Sequence, residues 1–494
     1  AVITVLWVVV GYSLAFGDDL GAGLLGDPTQ YAGLGQLMSA ASNGTSQVPL
    51  ILFAVFQGLF CVITGALVSG AIADRARFGA WIVFVALWTL VVYAPIAHWV
   101  FDVGQDGQDG GWLVDRVGLV DFAGGTAVEI CAGASGLALA LVLGRRIGFG
   151  KDPMRPHNLT LVMLGAGLLW FGWFGFNAGS ALGADQTAAV VFTTTLVAGA
   201  AGSLGWLAVE RVRDDHATSL GAASGLVAGL VAITPSCGSL SPLGAMVMGA
   251  VAGVVCAWAI GLKYRFRYDD SLDVVGVHLV GGIVGTVGIG ILATAAAPTG
   301  VDGLFYGGGV DQLGRQLLGA GAVLVYALVA SGILGLAVDK VLGFRIGEEH
   351  EVTGIDLAIH AETAYDLHAT AGTRPVMAVP ILKDLRNPNS TLGNSVITEL
   401  KKLRSVGNDP GKIAEIDGLI AALDITKSQA AKGALTRAAP NLTLDQALRL
   451  KTILGEIADS KAGLDSMADV AAKTTAETYA KQIDAGIRKG LSRT

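Results

Sequence analysis

Charge is what this sequence has least of. Asp, Glu, Lys and Arg make up 15% of its 494 residues, against about 25% in an ordinary soluble protein, which argues against a single water-soluble globule. The shortage is local: residues 1–340 hold only 35 of the 73 charged residues, and the last 154 hold 38. Two solvents are implied, lipid first and water second. The net charge of −7 arises in the first part, with 14 basic and 21 acidic residues, and no clustered basic surface points to nucleic acid. Cysteine is scarce as well. Cys61, Cys131, Cys237 and Cys256 lie in or beside apolar runs without metal-ligand spacing, so neither a zinc site nor a disulfide framework is expected. The apolar run Ala1 to Gly17 lacks a basic leader and a small-residue cleavage site, and so does not read as a signal peptide. After about residue 370 there is no kinase, Walker or metal motif, and the chain is expected to be neither an enzyme nor the holder of a cofactor.

What is abundant is apolar surface and glycine, with 52% hydrophobic residues and 70 glycines. A bilayer core of about 30 Å takes roughly 20 apolar residues in a helix, because lipid offers no partner to backbone amides and carbonyls. Nine runs qualify, near 48–72, 80–101, 124–143, 158–182, 187–209, 219–238, 242–262, 274–296 and 315–338, with a shorter one at 1–17. Lys and Arg fall in alternate short loops: Arg75 and Arg77; Arg145, Arg146, Lys151 and Arg155; Arg211 and Arg213; Lys263, Arg265 and Arg267. The positive-inside rule makes those loops and the C-terminal tail cytoplasmic. Glycines at small-residue spacing, such as Gly221, Gly225 and Gly229 or Gly249 and Gly253, predict close helix packing.

Ionisable groups inside a membrane span are costly, so the few here are informative. Asp121 opens one span and Glu129 lies eight residues deeper; Asp273 opens another, with His278 inside it. Both aspartates have a structural explanation as N-cap carboxylates. Glu129 and His278 sit away from helix ends, and an acid and a histidine in separate spans of one bundle suggest a facing pair. The run from Trp170 to Ser180 is dense in rings, and Phe56 and Phe60 share a helical face. Rings beside a hydroxyl make a site for a small cation.

These residues resemble the ammonium transporter family, the Amt, Mep and Rh proteins, over residues 1 to about 367. The motifs are Asp121-Phe122-Ala123-Gly124-Gly125-Thr126, the run Phe171 to Ser180, Gly221-Ala222-Ala223-Ser224-Gly225 through Thr234-Pro235, and Asp273-Val274-Val275-Gly276-Val277-His278. The resemblance implies an all-α polytopic membrane bundle of two inverted five-helix repeats plus a final helix, assembled as a homotrimer in the plasma membrane. By position, Phe60 and Phe176 resemble the paired phenylalanines at the outer mouth of the pore, with Phe56 beside them. Ser180 resembles the vestibule hydroxyl that accepts from ammonium, and Asp121 the carboxylate that stabilises the vestibule. Trp173 and Asn177 match its packing shell, and His278 the second of two pore histidines. Two positions depart from the pattern. Glu129 replaces the first pore histidine, as in some fungal members, and Phe101 replaces a vestibule tryptophan.

The substrate implied is ammonium or ammonia, with methylammonium as a relative. The expected organisation is a membrane domain over 1–342, incomplete at its start, a cytoplasmic regulatory tail over 343–370, a linker over 371–392 and a helical or partly disordered extension over 393–494. The start matches the latter half of the family's second helix, so the first helix is expected to be missing. The tail resembles the segment where a PII-type signalling protein docks in many bacteria. Three readings follow: a transporter, an ammonium sensor (transceptor) signalling through its tail, and a truncated fragment that does not transport.

Overall fold

The computed structural model describes residues 1–39, 48–104, 109–152, 154–362, 396–398 and 400–401. Its first compact unit is Ala1–Ile346, and every regular element among its described residues is helical. Ten apolar helices follow one another: α1 (Val2–Phe16), α2 (Leu50–Ala71), α3 (Phe78–Phe101), α4 (Gly125–Leu143), α5 (Leu159–Ala181), α6 (Gln186–Arg213), α7 (Ser219–Ile233), α8 (Pro242–Phe266), α9 (Val275–Leu292) and α10 (Asp311–Leu342). All but α1 and α7 are long and apolar enough to cross a membrane.

Local chemistry sets where these helices begin. Asn158, Asp185, Thr218 and Ser241 each accept a hydrogen bond from a backbone amide three residues on, satisfying first-turn donors of α5 to α8. Pro242 at the first helical position of α8 adds a preset φ. The apolar run 219–238 makes a shorter helix than its length predicts, ending at Ile233. Pro235 explains the stop: its ring would clash with the carbonyl of Val231, and it has no amide to donate. Residues 234–240 turn instead, and Pro235 O accepts from Phe122 N at 3.0 Å.

Glycine lets the backbones touch. A Cβ on Gly249 or Gly253 would fall 2.1 Å from a carbonyl oxygen of α6, Ala198 O or Gly202 O, so α6 and α8 meet main chain to main chain. Burial is uneven across the bundle. In α4, 83% of the apolar window is buried, and in α9 61%, whereas in α5 it is only 6%. The two helices carrying Glu129 and His278 are therefore the interior ones.

Basic side chains gather at one end, where they close the loops. Arg146 forks onto Asp269 at 2.9 Å from both Nε and Nη2, and buried Arg75 donates to Ser271 Oγ at 2.7 Å and to Asp269 O. Burial works against the Asp269 carboxyl's charge, but Arg146 and Arg75 hold it below its ordinary value. The unit extends to Ile346 because Phe344 is buried against Phe84, Arg77 N donates to Phe344 O, and Arg345 reaches Leu143 O.

The second unit is Gly347–Thr494. It contains α11 (Glu348–Thr353) and a π-helical turn, Asp356–His360. Residues 396–398 and 400–401 are helical, with Val396 and Leu400 buried. The expected linker, 371–392, and the expected extension beyond residue 401 lie outside the described residues.

Candidate functional site

At the arginine-poor end of the bundle lies a cavity of about 420 Å³. Phe56, Phe60, Phe101, Asp121 and Ser180 line it, joined by Asp18, Asp102 and Asp109. The rings of Phe56 and Phe60 meet edge-on at 4.9 Å, as their i, i+4 spacing on α2 allows. Phe60 then meets Phe176 from α5 at 4.5 Å and Phe101 from α3 at 6.1 Å. Three helices thus bring their rings together at the cavity. Ser180 donates to Phe176 O at 2.8 Å, which leaves its oxygen lone pairs to accept from a ligand.

Two expected site residues hold this layer from behind. Trp173 Nε1 donates to Thr234 Oγ1 at 2.8 Å, and Asn177 Nδ2 donates to Thr195 Oγ1 at 3.0 Å. Asn177 Oδ1 is buried with no hydrogen-bond partner among the described residues.

Asp121 is a cap. Its carboxylate accepts from Gly124 N at 2.8 Å, Gly125 N at 2.7 Å and Thr126 N at 2.7 Å, and also from the Thr126 hydroxyl. Gly124 has φ +115, and a Cβ on Gly125 would sit 2.4 Å from Pro235, so the glycine pair of the motif is required by backbone and neighbour alike. Sequence reasoning missed what holds this turn in place. Gln316 of α10 donates to Val120 O at 2.7 Å and to Thr286 O at 3.1 Å, and accepts from Val120 N at 2.9 Å. Gln312 supports it at 2.9 Å. Two glutamines at i, i+4 in an apolar helix were the available signal.

Glu129 and His278 face each other. His278 Nδ1 and Glu129 Oε2 share a hydrogen bond of 2.6 Å, with the residues 8% and 1% exposed. Each lies in a π-helical turn that opens its helix, Gly125–Ile130 and Val275–Leu279; such turns are rare and concentrate at functional sites. Asp273 does not cap α9, contrary to the sequence-based expectation. Its backbone has φ +60, and its carboxylate accepts from Lys263 Nζ at 2.7 Å. The cap is Asp270, which accepts from Val274 N at 3.0 Å and Val275 N at 2.7 Å. Burial and nearby Asp273 raise the Asp270 carboxyl to about 6.

The aromatic layer, the capped aspartates and the buried acid–histidine pair now stand beside known proteins. The family model "Ammonium Transporter Family" matches residues 1–365. An ammonium transporter of Mycobacterium tuberculosis is 51% identical over 421 residues, covering 81% of this chain and 88% of its own. One of Corynebacterium glutamicum is 45% identical over 371 residues, covering 74% and 80%. Because 81% of this chain exceeds what residues 1–365 can supply, the mycobacterial likeness runs past the family match. Among solved structures, Saccharomyces cerevisiae Mep2 is similar at a TM-score of 0.64 and 38% identity, covering 70% of this chain and 77% of its own. A structure described as a Sensor Amt Protein is similar at 0.65 and 28%, covering 72% and 87%. The chain therefore belongs to the Ammonium Transporter Family and is an all-helical, multi-pass membrane protein.

Proposed function

We propose that this protein carries ammonium across the plasma membrane as a homotrimer, admitting it at the arginine-poor, outward end. The observation that carries the reading is the helix α4, whose cap Asp121 lines the cavity and whose Glu129 bonds His278. The cavity holds a ring layer and the Ser180 hydroxyl, and the Glu129–His278 pair lies two helical turns beyond Asp121. A lone cation in a low-dielectric medium costs on the order of tens of kcal/mol, and neutral ammonia far less. In this reading ammonium is held at Phe101, Phe60 and Ser180, loses its proton below the Phe60–Phe176 layer, and passes Glu129 and His278, which relay the proton.

The trimer is supported by α5, whose apolar window is 6% buried within one copy and whose Phe171 is 79% exposed; neighbouring copies would cover it. The alternation of basic loops supports a cytoplasmic tail, where a PII-type protein is the proposed partner. Sensing through that tail is the second reading, favoured by the likeness to the Sensor Amt Protein.

The test is uptake of labelled methylammonium by the full chain in a transport-deficient host, with currents recorded between pH 5.5 and 8. Uptake is expected, with a pH profile that shifts in Glu129→His. Absence of uptake while ammonium still alters a tail-linked response would favour the sensor, and an unchanged profile in Glu129→His would remove Glu129 from the proton path.

A further inference from the structure

The cavity at the arginine-poor end carries a carboxylate that the ring and hydroxyl site does not use. Asp102 follows Phe101 directly at the end of α3 and lines the same cavity as Phe60, Phe101 and Ser180. Its side chain is 17% exposed and stands 3.4 Å from Nδ1 of His98, which is fully buried. That nitrogen already donates to Ala15 O at 3.1 Å. On the far side of the ring, His98 Nε2 faces Asp19 Oδ1 at 3.5 Å, and neither atom has a hydrogen-bond partner among the described residues. With Nδ1 committed to Ala15 O, a neutral His98 ring leaves the Asp102 carboxylate charged at the edge of the cavity.

The surrounding charges point the same way. Asp18 and Asp109 line the cavity as well, and Asp115 stands on the turn Trp112–Val117; Tyr12 and Tyr31 are the other titratable neighbours. Arg116, on the same turn as Asp115, is 3.3 Å from Asp109. A phenyl face at position 101 attracts a cation less strongly than the indole it replaces, and a carboxylate one residue away supplies attraction of a different kind.

We infer that Asp102 is a further recruiting residue of this cavity, drawing small monovalent ammonium-type cations by charge to the Phe60–Phe101–Ser180 site. The inference rests on the transport reading above and deepens it. Burial raises the Asp102 carboxyl to about 7, helped by Asp115, Asp19 and Asp18 and opposed by a hydrogen bond from the Gly104 backbone. Its charge, and with it recruitment, is present above that pH and lost as pH falls through it.

The experiment is uptake of labelled methylammonium by cells expressing the full chain, the Asp102→Asn variant and the Asp102→Glu variant, at pH 5.5 and pH 8, with the protein at the membrane quantified in each. At pH 8, Asp102→Asn is expected to raise KM about fivefold at constant Vmax, an effect of one partly screened charge; Asp102→Glu restores it, and at pH 5.5 the three chains converge. A purely structural role predicts a lower Vmax or less protein at the membrane, with the same change at both pH values, and would overturn the inference. Should Asp102→Asn fail to reach the membrane, the parent decides: its own KM must fall as pH rises through about 7, and a flat KM overturns the inference. Parent uptake that ignores Asp102 sinks this inference alone; a parent without uptake sinks the transport reading with it.

Discussion

The two halves of the bundle use one arrangement at opposite ends, and they differ in how they treat charge. In the first half Asp121 caps a π-helical turn, Glu129 follows eight residues on, and Gly133 four further; in the second half the same spacing holds Asp270, His278 and Gly282. The glycines serve the pairing. A Cβ on Gly133 would fall 2.5 Å from Leu279 N, beside His278, and one on Gly282 would fall 2.9 Å from Glu129 Cβ. Only at such closeness can the two side chains bond at 2.6 Å. The carboxylates part company. Asp121 is held by three amides and a hydroxyl, with no basic group among its hydrogen-bond partners, and it borders the open cavity. At the other end Lys263 donates to Asp270 O at 3.1 Å and to Asp273 at 2.7 Å. At the cavity end the capping carboxylate is satisfied by amides and a hydroxyl, with Arg116 reaching, among the described residues, only Asp109. At the other end a lysine is bonded directly to the capping segment.

The largest effect should come from breaking both caps. Asp121→Ala and Asp270→Ala each orphan amides at the start of an interior helix, at a cost of roughly 3 kcal/mol. Thermal unfolding in detergent should show comparable losses for the two, and a loss in only one would end the equivalence of the halves. Lys263→Met tests the difference between them. With its partner removed, the Asp270–Asp273 pair is penalised only once ionised; a carboxyl raised to about 6 has its stabilising proton below the unfolded value near 4 and loses it as pH rises. The variant should therefore match the parent at pH 4.5 and fall below it above pH 6, by about 1 kcal/mol given that the Asp273 end of the Lys263–Asp273 pair is partly exposed. A gap of constant size across that range would show that Lys263 acts by packing. The smallest effect belongs to the arginine-poor end: Phe101→Trp should lower KM for methylammonium about two- to fivefold, the worth of a better cation–π face. An unchanged KM would place Phe101 outside the cation's path.

Much of this was legible in the residues, and the misses have physical causes. Glu129 and His278 stood out because any ionisable group in an apolar run is an exception that needs a partner. Asp270 was passed over because Asp273 lies nearer the apolar run; only the backbone, turned to φ +60 at Asp273, shows which carboxylate reaches the first amides. Gln316 was missed because its partners, Val120 and Thr286, are far away in sequence and offer only backbone carbonyls and an amide. Asp102 reads as a loop residue until the cavity is seen to include it.

What the sequence determined by itself is the set of membrane helices, the alternation of their basic loops and the identity of the buried acid and histidine. Each follows from local rules, since twenty apolar residues must form a helix in lipid and a charge there cannot stand alone. The tertiary structure decided which faces meet. In lipid both sides of a helix are apolar, so no hydrophobic stripe marks the inward face of α4, α5 or α9. Contact is settled instead by where glycine permits backbones to touch and where distant polar groups find one another.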